Sequence, residues 1–292
     1  MYVHHVALHD LDLVGGVLVD RSGERFDREA YARFKYGYLP PAAEYGRGLA
    51  DLIGDDLFAR VGGDPVCVVS APYKHLPTAS HAIARTLVSV LGRLAVIDRG
   101  IEPPTLVPFF KAMPSDDSYA RGSAADRSRE LARQRFRIDE ALIRDAHVLV
   151  VDDLRVTGSA ELATGRYLES LAPRGVWYLH AARLSPGLGA SHPAFESELN
   201  ESVGHRAHDV LRDIATGRFA LNTRVLRHVL DYESDAEFET IAEGAPTDLL
   251  REMFDAAIGS GVAYHEKRAE RLALLADEVD RREGVLHHAD SR

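Results

Sequence analysis

The chain has 292 residues, 46% of them hydrophobic, with 35 basic against 45 acidic side chains and a formal charge of −10. That is enough chain for about two domains, or one large α/β domain with appendages, and enough apolar content to exclude a disordered tail or a fibre. The acidic balance argues against non-specific binding to nucleic acid or anionic membrane, and a lone cysteine, Cys67, leaves no intrachain disulfide and no cysteine-based zinc cluster.

Residues 1–60 open on MYVHHVALHDLD, which has neither a basic leader nor an apolar run with a cleavage site. No apolar stretch approaches the ~18–20 residues of a membrane span, so a cytoplasmic protein is expected. His4, His5 and His9 have some metal-ligand spacing but no supporting acid motif, and the same holds for His287 and His288. A hairpin is expected at LVGGVLVD around Gly15–Gly16, followed by the aromatic segment ARFKYGYLPPAAEYGRGLADLI.

Short apolar runs without clean alternation stand at 66–70, 105–110, 147–151 and 176–182, the pattern of strands buried on both faces. Cys67, inside VCVVS, reads as a small buried hydrophobe. Helices are expected over 78–91, which follows Pro77 and stops at Gly92, and over 159–171, which stops before Pro173 and Gly175. Strands alternating with helices imply right-handed crossovers and a doubly wound, mostly parallel α/β sheet. Three regions follow: an N-terminal region over 1–60, an α/β core over 61–205 and a mostly helical C-terminal region over 206–292. In the last, residues 231–255 hold nine carboxylates and one arginine, the composition of a solvated helical face, and 262–282 has the spacing of a packing or dimer helix.

The strongest chemical signal is HVLVVDDLRVTGSAE, residues 147–161. An apolar strand ends in Asp152 and Asp153, a short loop follows, and Thr157-Gly158-Ser159 opens a helix. Gly158 allows close backbone approach, Thr157 and Ser159 offer hydroxyls, and the helix N-terminus offers unpaired N–H groups and the positive end of its dipole. The carboxylates would repel a phosphate, so they are placed to hold sugar hydroxyls or Mg²⁺ beside it. A phosphate cradle next to diol-binding acids describes a ribose 5-phosphate site, and such sites lie at the carboxyl ends of strands in open α/β sheets.

This segment resembles the phosphoribosyl-diphosphate (PRPP) signature of type I phosphoribosyltransferases, directly over about thirteen residues (VLVVDDLRVTGS and its flank) and by order of elements over roughly 60–185. Two hydroxyls usual in that family are missing, since Val156 stands before Thr157 and Ala160 after Ser159, and Arg155 within the loop is unusual. With RFKYG near the N-terminus, the pattern is similar to the orotate-phosphoribosyltransferase-like branch associated with bacterial tellurium-resistance and stress gene clusters.

The resemblance implies Mg²⁺ as cofactor, held by Asp152 and Asp153 largely through substrate and water, and 5-phosphate binding by Arg155, Val156, Thr157, Gly158 and Ser159. It implies a second anion loop after an earlier strand, here APYKHLPTAS with Tyr73, Lys74 and His75. It also implies a lid shielding the transition state from water. Lys111 opens such a stretch, and six arginines against Asp126 and Glu130 over 118–137 give it a local charge of +4. Lys74, Lys111 and Arg121 are the expected cations for pyrophosphate. A hood over the acceptor base would come from Phe34, Lys35, Tyr36 and Phe110, with Tyr38, Phe109, Trp177, Asn222 and Arg224 as further options.

The expected activity is transfer of ribose 5-phosphate from PRPP to a nucleobase-like acceptor with release of pyrophosphate, in a homodimer without nucleic-acid or membrane partners. The alternative is a non-catalytic PRPP sensor on the same fold. A diphosphokinase-like enzyme would want an ATP site, and no GxxxxGK stretch exists.

Overall fold

The structure is a computed structural model that describes residues 2–111, 136–203, 205–232, 234–260 and 266–284. Its centre is a six-stranded sheet in the order β2-β1-β8-β7-β3-β4, comprising β1 (Tyr2–Val14), β2 (Val17–Val19), β3 (Val66–Ser70), β4 (Thr105–Leu106), β7 (His147–Arg155) and β8 (Gly175–Leu184). All neighbours are parallel except the edge hairpin β1–β2, which turns at Gly15–Gly16 as expected. A separate antiparallel pair joins β5 (Phe110–Lys111) to β6 (Phe136–Arg137). The single strand expected over 105–110 is thus two short ones, split around Val107–Phe109.

Alternation along the strands sorts side chains onto two cores. Val68 of β3, Leu149 and Val151 of β7, and Trp177 and Leu179 of β8 face the layer that includes α1 (Arg28–Lys35), α2 (Leu39–Val61) and α3 (Ser80–Arg93). Cys67, Val69, Val148, Val150, Val176 and Tyr178 face the opposite side, with α4 (Glu140–Ile143) and α5 (Ser159–Glu169). Helices on both faces of a parallel sheet make the doubly wound α/β architecture read from the sequence.

The N-terminal region departs from expectation. β1 pairs with β8 over nearly its whole length, and α2 packs along α3, so residues 1–60 are built into the α/β core rather than standing apart from it. The reason is invisible locally, because β1 is paired by a strand some 170 residues away and its exposure alternates only in part.

A second correction concerns apolar length. Helix α3 continues without a break into a π-helical turn, Leu94–Arg99, and the combined Ser80–Arg99 is long and apolar enough to cross a membrane by length and composition. Ile83, Ala84, Leu87 and Leu91 on this helix are fully buried in the chain's own core.

The C-terminal part is helical: α6 (Pro186–Ser191), α7 (Phe195–Asn200), α8 (Ala207–Ala215), α9 (Thr223–Leu230), α10 (Asp235–Gly244), α11 (Thr247–Ser260) and α12 (Glu266–Glu283). From α8 onward it has its own apolar core, which includes Val225, Phe238, Leu250, Met253 and Leu275. The apolar stripe of α12 is spent inside this core, where Leu272, Leu275 and Val279 are buried. Among the described residues, buried Leu76 of the loop between β3 and α3 enters it from outside, and half-buried Tyr36 packs against it.

Candidate functional site

Strand β7 runs past the apolar run and carries both acids, ending at Arg155. The side-chain alternation that points Leu149 and Val151 toward the α1 side points Asp153 the same way. There its Oδ2 accepts a hydrogen bond from Lys35 Nζ at the end of α1, and its Oδ1 accepts the Leu154 N–H at 2.7 Å. Lys35 Nζ also reaches Glu196 Oε1 of α7 at 3.0 Å, and Arg224 Nη2 of α9 lies 3.8 Å from the same oxygen. Lys35 is 6% exposed and Asp153 is equally buried. Burial alone would lower the Lys35 pKa, but attraction to Asp153 and Glu196 raises it, so the ammonium is kept. Burial likewise pushes the Glu196 carboxyl up, and Lys35 and Arg224 outweigh it to hold the group below its usual range.

Asp152 is placed differently. It is half-buried, its Oδ1 accepts the Asp153 N–H at 2.9 Å, and among the described residues its other oxygen has no hydrogen-bond partner. Burial, with the neighbouring Asp153 charge added, pushes its pKa up to about 8, against the pull of Lys35. An acid so perturbed lacks a counter-charge, which is the condition a cation or a hydroxyl donor would relieve. Among the described residues no group of three or more His, Cys, Asp or Glu side chains could hold a metal ion. With one carboxylate oxygen unpaired among the described residues, Asp152 fits the protein side of an Mg²⁺ carried mainly by substrate oxygens and water.

The loop after β7 has the cradle geometry. Gly158 takes the left-handed conformation at φ +77°, which favours glycine, and caps α5. Thr157 Oγ1 and Ser159 Oγ are 2.9 Å apart and exposed. Behind the loop, α6 approaches so closely that a Cβ on Gly189 would meet the Val156 carbonyl oxygen at 2.2 Å, so this glycine is what lets the loop lie where it does. Arg155 folds back over Gly158, with a terminal guanidinium nitrogen 2.9 Å from where a Cβ there would stand. Its Nε faces Glu161 Oε1 at 3.0 Å, and His180 Nε2 and His5 Nδ1 lie 3.1 and 3.4 Å from the same carboxylate. Burial of His180 lowers its pKa to about 4.

The two lysine loops come together. The Ala71 N–H donates to the Val151 carbonyl, so the segment after β3 leaves the sheet beside the acid pair. Farther along, the Tyr73 N–H donates to Phe109 O and the Lys111 N–H to Tyr73 O, stitching the Lys74 loop to the strand that Lys111 ends. The C-terminal helices brace this loop from outside: Thr223 Oγ1 donates to the Leu76 carbonyl at 3.0 Å, and the exposed His75 packs its ring against Gly259. Arg121, expected in the lid, lies outside the described residues.

The expected base-stacking residues are mostly committed elsewhere. Phe34 is 2% exposed, edge-on to Tyr31 and Tyr45 in the core. Tyr36 stacks on His205 at 3.4 Å and meets His228 edge-on, holding the C-terminal region to the end of α1. Phe109 and Trp177 are core residues, and Asn222 caps α9 while its Nδ2 donates to the Lys35 carbonyl. Phe110 stays half-buried against Tyr73, beneath the Arg137 guanidinium. Lys35 belongs with the acid pair.

Sequence reasoning missed Glu196 and the Glu161–His180 contact. Glu161 lies in the first turn of a helix, where an acid is ordinary, and Glu196 lies in a short acidic helix with no motif around it.

A family model described as PRTase ComF-like, that is, phosphoribosyltransferase ComF-like, matches residues 4–275. The chain belongs to this family. For a ComF-like phosphoribosyltransferase, the match spans β1 to α12, consistent with an N-terminal region integral to the fold. Among solved structures, a hypoxanthine-guanine phosphoribosyltransferase from Bacillus anthracis is 13% identical, covering 47% of this chain and 68% of its own, with a TM-score of 0.32. Adenine phosphoribosyltransferase from Saccharomyces cerevisiae is 18% identical over 51% and 73%, with a TM-score of 0.31. Hypoxanthine-guanine phosphoribosyltransferase from Schistosoma mansoni is 15% identical over 62% and 83%, with a TM-score of 0.33. No curated protein matches the ComF-like chain.

Proposed function

We propose that this chain binds PRPP at the carboxyl end of β7 and transfers its ribose 5-phosphate to a nucleobase-like acceptor, releasing pyrophosphate. The observation that carries the reading is the conjunction, at the carboxyl ends of the central strands, of an under-neutralised acid, Asp152, a left-handed Gly158 cradle opening α5, and the Lys74 and Lys111 loops hydrogen-bonded to each other. Asp152 would take the ribose hydroxyls. Thr157, Ser159 and the first N–H groups of α5 would take the 5-phosphate. Lys74 and Lys111 would neutralise the leaving pyrophosphate. Arg155, now turned to Glu161, is within reach of the same phosphate. Mg²⁺, when bound with the substrate, supplies charge neutralisation at the pyrophosphate oxygens. No side-chain nucleophile is required, since positioning and charge stabilisation supply the catalysis.

Binding without turnover is the second reading. It is favoured by the closed state of Asp153, whose two oxygens are both occupied within the chain. A pyrophosphate-release assay with PRPP and Mg²⁺ across a panel of bases separates the two. Release with one base class supports the transferase. Saturable PRPP binding with no release for any base supports the sensor, and absence of both rejects the site.

A further inference from the structure

We propose that Lys35 is the resident cation of the acid pair, filling the position on Asp153 that a divalent ion would otherwise take and leaving Asp152 as the acid that meets ligand. This assignment deepens the reading of β7 as the ribose-binding strand and rests on it. Three observations carry it. The Lys35 ammonium sits at a point shared by two carboxylates, in contact with Asp153 Oδ2 and 3.0 Å from Glu196 Oε1, which is the arrangement of a bound cation. The ammonium is buried on the Asp153 side, where Lys35, Asp153 and the neighbouring Tyr31 are all buried and the Tyr31 ring lies 5.8 Å from Nζ, while Glu196 is half-buried.

The lysine is also held in place from its backbone. Asn222, which caps α9 through its Oδ1, donates from Nδ2 to the Lys35 carbonyl at 3.2 Å, so the C-terminal region holds the backbone from which the lysine side chain extends. A second positive ion at this point would face the ammonium in a low-dielectric surrounding, where like charges repel strongly. Lys35 is therefore a positioning residue. It holds the Asp153 carboxylate in one orientation, and it makes the protein end of the site selective for hydroxyl and water donors over a directly coordinated metal.

The test is a titration of the ligand-free full chain with Mn²⁺, followed by electron paramagnetic resonance of the free ion, which does not depend on PRPP binding or turnover. The wild type should show no Mn²⁺ site that Asp153→Asn abolishes. Lys35→Met should gain a site at least about tenfold tighter than any in the wild type, because carboxylates freed of their cation set metal affinity. That gained site should disappear in Lys35→Met combined with Glu196→Gln. Lys35→Arg, which keeps the charge, should behave as the wild type. A wild-type Mn²⁺ site lost in Asp153→Asn overturns the proposal, as does a folded Lys35→Met that gains none. Should Lys35→Met fail to fold, the wild-type and Asp153→Asn comparison decides alone. A chain that binds no PRPP would reject the proposed function while these outcomes still decide the role of Lys35.

Discussion

Two adjacent aspartates end in different electrical surroundings because a strand sends neighbouring side chains to opposite faces. Asp153 falls on the α1 side and meets Lys35. Asp152 falls on the other and stays short of counter-charge. The phosphate loop shows the same dependence on single residues. Gly158 permits the left-handed cap, and Val156, packed in part against the core, stands where the resemblance to the family's phosphate loop leads one to expect a second hydroxyl. Val156→Thr should therefore tighten ribose 5-phosphate binding about three- to tenfold, the net worth of one ordinary hydrogen bond. Calorimetry on the full chain measures it, and unchanged or weaker binding would place Val156 outside the phosphate site.

At the scale of elements, the candidate site is where three parts of the chain meet. β7 and its loop supply the acids and the cradle, the β3–α3 and β5 segments supply the lysines, and the helices after residue 200 hold the lysine loop from behind. Leu76 is the peg of that last contact, 6% exposed within the C-terminal core, with its carbonyl taken by Thr223. Leu76→Ala should cost about 2–4 kcal/mol of stability through the cavity it leaves. It should also speed proteolysis near Lys74 more than at sites in β7. Equal protection of the Lys74 loop in the two proteins would contradict the bracing role.

The sheet and the motif were legible in the sequence because they are local. Each run at 66–70, 147–151 and 176–182 is apolar enough to declare a buried strand, and Asp-Asp followed by Thr-Gly-Ser is contiguous. β1, the Lys35–Asp153–Glu196 contact and the seating of Leu76 were not legible. Their partners lie 118 to 161 residues away for the Lys35 contacts, and nothing in Lys35's neighbourhood marks it as an acid's partner rather than a base-binding group. Aromatic residues were misleading for a related reason. The composition of RFKYG suits a stacking surface, yet Phe34 is consumed by the core and Tyr36 by His205.

For the molecule as a whole, buried and half-buried histidines tie stability to pH. Burial lowers His180 and His205 to about 4, and lowers His81 and His228 as well. An unfolded histidine takes up its proton near pH 6.5, whereas folded His180 waits until about pH 4. The unfolded state thus binds more protons in that window, and stability falls as pH drops through it. For His180 alone the loss is at most roughly 3 kcal/mol. Urea midpoints of the wild type should fall steadily between pH 6.5 and 4, and His180→Gln should flatten part of that slope. A wild-type midpoint constant across this range would contradict the burial of these rings as neutral groups.

The overall charge divides in the same spatial way, with nine carboxylates against one arginine over 231–255 and the lysines gathered elsewhere. Three of the four lysines, Lys35, Lys74 and Lys111, stand at the acid pair or on the two loops stitched together beside it. That placement suits a small polyanion. Calorimetric titration of the full chain with PRPP and Mg²⁺ tests it most directly. The wild type should bind saturably, and Asp152→Asn should bind at least about tenfold more weakly, a loss near 1.4 kcal/mol, with a urea midpoint no lower than the wild type's. A wild type that takes up no PRPP, or an Asp152→Asn variant that binds it as tightly as the wild type, would contradict the account.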